Sequence, residues 1–273
     1  MNKLRAVALA FVAGTTALSL SACATSGTPS ASAPASGSAS YTLVDSSKLT
    51  VCTHLAYKPF QFKDASGAII GFDVDLMDLV AKDLGVTQEI IDIEFNQITS
   101  GSVFAAKKCD VGAAAITITD ARRQSATFSD GYFKATQALL VQDSSGITGL
   151  ENLQGKTLAV QTDTTGKDYA EKNAAQYGYE VRIFDDMPTG ANAVLGGSVD
   201  AAINDNGVLF DFAKDNPSVE VVTEFQTGEE YGFNVGNDNA ALAEKINEVL
   251  DAAEADGTYN EIYKKWFGVD APA

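Results

Sequence analysis

An alternation of strands and helices runs through the middle of this chain, and it restarts halfway. LTVCTHL, IIDIEF and DVGAAAITI read as strands. Between the first two lies FQFKDASGAIIGF, whose strand-like ends flank the turn signal Asp64-Ala65-Ser66-Gly67. A helix follows over about Asp73 to Leu84, with Phe72, Leu76, Val80 and Leu84 on one face and Gly85 as its stop. SVFAAKK reads as a short helix. After a crossing stretch at Phe133 to Gln137 the pattern begins again. KTLAV, EVRIF, VDAAIND and VEVV are its strands; Thr165 to Tyr177, MPTGANAVLGG and GVLFDFAK are its helices. YGFNVG, near Tyr231, reads as a second crossing. This order predicts two α/β units, each a mostly parallel sheet flanked by helices, joined by two strands. DVGAAAITI, small and apolar throughout, suits a strand covered on both faces.

The two ends of the chain lie outside this alternation. MNKLR followed by an apolar run from Ala6 to about Leu20 reads as an export signal, residues 1–22, and the run is too short for a confident membrane span. Leu20-Ser21-Ala22-Cys23 resembles the bacterial lipobox, in which the cysteine is lipidated; an ordinary small-residue cleavage site near Ala22 is the alternative. Residues 24–40 contain only Ala, Thr, Ser, Gly and Pro. Residues 23–46 are therefore expected to be a tether, reaching about 60 Å at full extension of its low-complexity part. At the other end Leu242, Ile246, Val249 and Ala253 make one helical stripe, ended by Gly257. Thr258 and Glu261 have capping-box spacing for a last helix. The recurring Tyr259, Ile262, Tyr263, Trp266 and Phe267 read as core.

Composition narrows the function. Nineteen Lys plus Arg stand against 36 Asp plus Glu, a net charge of −17, so no basic stripe exists to meet nucleic acid. The sole histidine is His54, and no metal-ligand spacing or nucleophile motif is present, so no cofactor or metal is expected. With Cys23 assigned to the lipobox, Cys52 and Cys109 remain in an exported chain, where disulfides persist. A bond between them is expected if their strands are parallel neighbours; two buried thiols are the alternative.

Four stretches could carry binding chemistry. In ITITDARRQ the strand ends at Thr117 to Thr119, and Asp120 can cap a helix holding Arg122 in its first turn. Ligands of open α/β sheets sit beyond such strand ends, where a helix N-terminus favours an anion. Arginine offers a planar fork that matches a carboxylate. Arg123 points elsewhere and reads as surface. QTDTTGKDY places Thr164 and Thr165 at a second strand-to-helix turn; a plain threonine cap is the alternative. Asp205, the last residue of VDAAIND and just past a strand end, could take an ammonium group or cap a helix. In HLAYKPF, Tyr57 and Phe60 could stack over a ligand, beside His54.

Together, HLAYKPF, GFDVDL, ITITDARR, FSDGY, GKTLAVQTDTTG, VDAAIND and GTYNEIYKKWFG resemble, in order, the family 3 extracellular solute-binding proteins, over about Ser47 to Gly268. The closing motif looks much like that of glutamine-binding members. The resemblance implies a two-lobed periplasmic-binding-protein fold of type II, with residues 47–134 and 231–273 as one lobe and 135–230 as the other. It implies an extracytoplasmic, monomeric receptor that captures a free polar amino acid, glutamine or glutamate foremost, and serves the permease subunits of an ABC importer. With acylated Cys23 it would be held to the outer face of the cell membrane by the lipid bilayer. It also implies roles: Arg122 for the ligand carboxylate, with Thr117 and the backbone of Ala115; Asp205 for the ammonium; Tyr57 as aromatic wall; Thr164 and Thr165 as the second lobe's turn. A further wall residue would fall near Ile98 and Thr99. There are departures: His54 stands where glutamine binders often carry Asp, Asp163 where the turn carries Gly, and Gln161 where some relatives carry Lys. The cysteine pair resembles that of actinobacterial members. Two other functions fit the same fold. A dehydratase acting on carboxylated ring compounds needs a general acid or base in the cleft. A receptor's sensor domain would need a membrane span or signalling domain.

Overall fold

The computed structural model describes residues 40–272. The export signal, Cys23 and residues 24–39 of the expected tether lie outside them. The chain forms β1 (Lys48–Thr53), the hairpin β2 (Phe62–Lys63) and β3 (Ile69–Ile70), then α1 (Phe72–Asp83) and β4 (Thr87–Asp92). The short helices α2 (Phe95–Thr99) and α3 (Ser102–Ala105) lead to β5 (Val111–Gly112), α4 (Asp120–Arg123) and β6 (Thr127–Phe128). The long strand β7 (Phe133–Gln142) opens the second half, with β8 (Thr157–Gln161), α5 (Thr165–Tyr177), β9 (Glu180–Phe184), α6 (Met187–Leu195), β10 (Ala201–Asp205) and α7 (Asn206–Asp215). β11 (Val219–Tyr231) returns, followed by β12 (Asn234–Val235), α8 (Ala240–Asp256) and α9 (Thr258–Phe267).

These strands make two five-stranded sheets, ordered β4-β1-β5-β12-β6 and β11-β7-β10-β8-β9. In the first, β1 runs parallel to β4 and β5, and β12 closes it antiparallel between β5 and β6. In the second, β8 is parallel to β9 and β10, while β7 lies antiparallel to β10 and β11. The result is the two-lobed α/β architecture of type II, with β7 and β11 crossing between the lobes. Cys52 and Cys109 are joined by a disulfide, their Cα atoms 5.7 Å apart. β1 and β5 are indeed parallel neighbours there, and closing this loop restricts the unfolded chain.

Aromatic side chains fill the region where β7 leaves the first lobe. Phe133 stacks on Tyr231 and Phe267, with ring centroids 5.4 and 5.2 Å apart, and Phe60 packs edge-on against Phe133 at 5.0 Å. The stripe of α9 is thus core. Trp266 adds a polar anchor, its indole N–H donating to Asp75 at 2.6 Å.

Several boundaries differ from the sequence reading, each for a local reason. DVGAAAITI is a ladder only at Val111 and Gly112. Beyond it Ala115 turns to φ +49° and gives its N–H to the buried Asp73 at 2.8 Å, which draws the chain out of the sheet. IIDIEF is displaced: β4 ends at Asp92 and Phe95 opens α2. VEVV opens a 13-residue strand that runs on to Tyr231, the first residue of YGFNVG, because β11 pairs with β7 along nearly its whole length; Asn234 and Val235 of YGFNVG form β12 in the other sheet. Thr258 does not cap α9; Gly257 is the N-cap, and the Thr258 N–H bonds Asp256 instead. At α4 the cap is Thr119 rather than Asp120. The body also starts earlier than Ser47. Tyr41 and Leu43 pack on the core, the Thr42 N–H donates to Asn239 at 3.1 Å, and the Val44 N–H donates to Asp110 at 2.6 Å.

Candidate functional site

The strand ends of the two lobes face one cleft. Two turns form its mouth, and both are built alike. In each, a β-strand ends, one non-glycine residue takes positive φ, and a threonine then caps a helix. In the first lobe these are Ala115 at φ +49° and Thr119, whose hydroxyl accepts the Arg122 N–H at 3.1 Å. In the second they are Asp163 at φ +58° and Thr164, whose hydroxyl accepts the Lys167 N–H at 3.1 Å. Positive φ costs a residue with a Cβ. Behind the second turn, Gly166 lets α5 approach Gln137: a Cβ there would lie 2.5 Å from Gln137 Oε1.

Arg122 spans the mouth. Its Nη1 donates to the Thr117 carbonyl and its Nη2 to the Asp163 carbonyl, both at 2.8 Å, one partner from each lobe. The guanidinium lies 5.4 Å from the centre of the Phe95 ring. Burial pushes it down from its usual pKa, while Asp205, then Glu229, pull it back toward the charged form.

Asp205 lies deeper, 6% exposed at the end of β10. It heads α7 without capping it; its carboxylate is committed elsewhere. The Tyr57 hydroxyl donates to it at 2.8 Å, the Gln137 amide at 2.5 Å, and the Tyr231 hydroxyl as a third donor. Burial, then the nearby Glu229, raises its pKa to about 6, and the three donors work against that rise. Burial and the same carboxylate push the Tyr57 and Tyr231 phenols well above their usual range, so both remain donors. Tyr57 reaches Asp205 from the opposite lobe, and its neighbour Lys58 crosses to α7, pairing with Asp211 at 3.1 Å and Asp215 at 3.0 Å.

Glu229 had no signal in the sequence. Between Phe225 and Glu229 the register of β11 against β7 shifts, so Gln226 to Gly228 face the single residue Thr136. That irregularity turns Glu229 toward the cleft floor. Its Oε2 accepts the hydroxyls of Thr117 at 3.0 Å and Thr165 at 2.8 Å, again one from each lobe.

Nine residues singled out from the sequence border this one cleft: His54, Tyr57, Ala115, Thr117, Arg122, Gln161, Thr164, Thr165 and Asp205; Phe60, offered with Tyr57 for stacking, is instead fully buried in the aromatic core. Gln61, Phe95 and Ala114 border the cleft as well and were not foreseen. Neither Ile98 nor Thr99, near which a wall residue was expected, borders the cleft; Phe95 does, and Ile98 is fully buried. Arg123 is exposed, as its helical position implied. Among the described residues no cluster of His, Cys, Asp or Glu is placed to hold a metal ion, and no helix is long and apolar enough to cross a membrane.

Comparison with known proteins gives a consistent result. The description "Bacterial extracellular solute-binding proteins, family 3" matches residues 49–269. The ABC transporter glutamine-binding protein GlnH of Bacillus subtilis (strain 168) is 35% identical over 211 residues, 76% of each chain. Among solved structures, an ancestral arginine-binding protein bound to arginine is 40% identical with a TM-score of 0.76, over 81% of this chain and 98% of that one. An ancestral amino acid-binding protein described as a precursor of cyclohexadienyl dehydratase is 33% identical with a TM-score of 0.73, over 81% and 95%. Each of these relatives is described as a binding protein.

Proposed function

Because this chain belongs to family 3 of the bacterial extracellular solute-binding proteins, we propose that its cleft captures a free polar L-amino acid, glutamine or glutamate foremost, and delivers it to the permease of an ABC importer. One observation carries the reading: Arg122 and Asp205 belong to different lobes yet border one cleft. A zwitterion needs a cation for its carboxylate and an anion for its ammonium. Arg122 supplies the first, with the Thr117 and Thr165 hydroxyls and the amides of the second turn around it. Asp205 supplies the second, held in place by Tyr57, Tyr231 and Gln137. The ligand's carboxylate takes over the two hydroxyls that Glu229 holds in this structure. Closure removes water, which strengthens both charge pairs, so the ligand favours the closed arrangement by binding it better than the open one. β7 and β11, the two crossing strands, act as the hinge. The protein works as a monomer, anchored to the outer face of the membrane through acylated Cys23.

Dehydration of a ring compound would need a general acid or base free to act in the cleft. Asp205 is held by three donors, and the His54 Nδ1 lies against the Ile93 carbonyl at 3.0 Å.

The test is Arg122→Ala, titrated with the common amino acids by calorimetry. Removing one side of a desolvated charge pair costs about 2–5 kcal/mol, so affinity should fall at least about thirtyfold while the melting temperature holds. Unchanged affinity would sink the reading.

A further inference from the structure

We propose that His54 and Gln61 make the cleft selective for side chains ending in N–H donors, a carboxamide or a guanidinium, against side chains ending in a carboxylate. The inference rests on the reading of the cleft as an amino-acid site and goes on to choose among its ligands. His54 follows β1, and its Nδ1 lies 3.0 Å from the carbonyl oxygen of Ile93. A carbonyl oxygen only accepts, so Nδ1 carries the proton, and in the neutral ring Nε2 presents a lone pair. Gln61, 1% exposed, donates through Nε2 to the His54 carbonyl at 3.2 Å. That bond settles which way its amide faces, and leaves Oε1 as the free end. Both residues border the cleft. Both atoms, His54 Nε2 and Gln61 Oε1, are buried and meet no hydrogen-bond partner among the described residues.

Buried acceptors without a donor are uncommon in folded proteins. Two of them, tied to each other through the His54 backbone, form a wall that is complete only when a ligand brings N–H groups to it. A site that expects a donor discriminates strongly against an analogue lacking one, because its own polar atoms are then left unpaired. Charge points the same way. Asp205 borders the cleft and Glu229 lies beneath it, while Arg122 is the one lysine or arginine on its wall among the described residues. A third carboxylate, on the ligand's side chain, would face two others and two lone pairs.

Glutamine and glutamate have nearly the same shape, so they isolate the chemistry. The full chain is titrated calorimetrically with L-glutamine, L-arginine, L-glutamate and L-aspartate. The tightest ligand should be glutamine or arginine, with glutamate and aspartate at least about tenfold weaker. A smaller gap, or a carboxylate side chain binding best, overturns the proposal. His54→Lys replaces an acceptor with a donor, and Gln61→Met keeps the size but removes the acceptor. Each should narrow the gap between glutamine and glutamate several-fold while the melting temperature reports folding. An undiminished gap in both folded variants overturns the assignment to this pair. Binding of none of the common amino acids would instead remove the parent reading, and the proposal with it.

Discussion

The two turns at the cleft mouth share a plan but divide the labour. The turn of the first lobe caps a helix of only four residues, Asp120–Arg123, none of them buried. The turn of the second caps the 13-residue α5, which packs Gly166 and Ala170 inward. A four-residue helix has little dipole and little stability of its own. What it offers is a side chain, Arg122, and that side chain reaches the opposite turn. The longer helix offers amides and the positive end of its dipole. A second difference lies behind the turns. Ala115, the positive-φ residue of the first, is held by a buried carboxyl, since Asp73 accepts its N–H at 2.8 Å and the Tyr132 hydroxyl at 2.7 Å. Asp163, in the second, is held from the front, through its carbonyl, by Arg122. One turn is fixed by its own lobe, the other by its neighbour.

The largest expected effect concerns the carboxyl behind the first turn. Burial raises the Asp73 pKa from 3.8 to about 7, with the Ala115 N–H and Tyr132 hydroxyl acting against the rise. A carboxyl whose pKa is higher folded than unfolded binds protons preferentially in the native state. Its contribution to stability is therefore fully present below the unfolded value and is lost as pH rises from 3.8 through about 7. Asp73→Asn mimics the protonated form at every pH. Its stability relative to the parent should climb over that window by an amount on the order of a few kcal/mol and then level off. Denaturant unfolding at several pH values checks it; a difference independent of pH would mean that Asp73 does not titrate there.

The caps come next. Thr164→Ala should cost about 1 kcal/mol, because it uncaps a long, packed helix. Thr119→Ala should cost clearly less, because the helix it caps is short and exposed. Equal losses in urea unfolding would erase the distinction between the turns. The smallest effect falls at the left-handed residue of the second turn. Asp163→Gly should stabilise the protein by under about 1 kcal/mol, relief of the φ +58° backbone being offset partly by a looser unfolded chain. Ala115→Gly, where the backbone is also left-handed but tied to Asp73, should gain less, and parallel melting curves would rank the two.

Much of this was legible in the residues. The strand-helix order predicted the two α/β units, since apolar periodicity reports which face of an element is covered. Arg122, Asp205 and the paired threonines were legible because strand-to-helix turns converge at strand ends, and the family resemblance gave them their roles. Residues whose place depends on tertiary irregularity were not legible. Glu229 sits in an acidic strand among Glu224 and Glu230 and differs from them only through the register shift beside it. Gln61 reads as an ordinary hairpin residue; its burial comes from the loop folded over it. Phe95 was hidden by a boundary, because a strand continued through IIDIEF would have buried it in the sheet.

The docked segment at residues 41–45 decides how the protein carries load. It is fastened to Asn239 and Asp110, both in the lobe that contains β1 and β12. Any pull from the chain before residue 40 therefore enters through that lobe alone and does not pass through β7 or β11. On the function proposed above, in which the protein is held by its N-terminal end, such an attachment leaves the other lobe free to swing, so that closure proceeds without straining the mount.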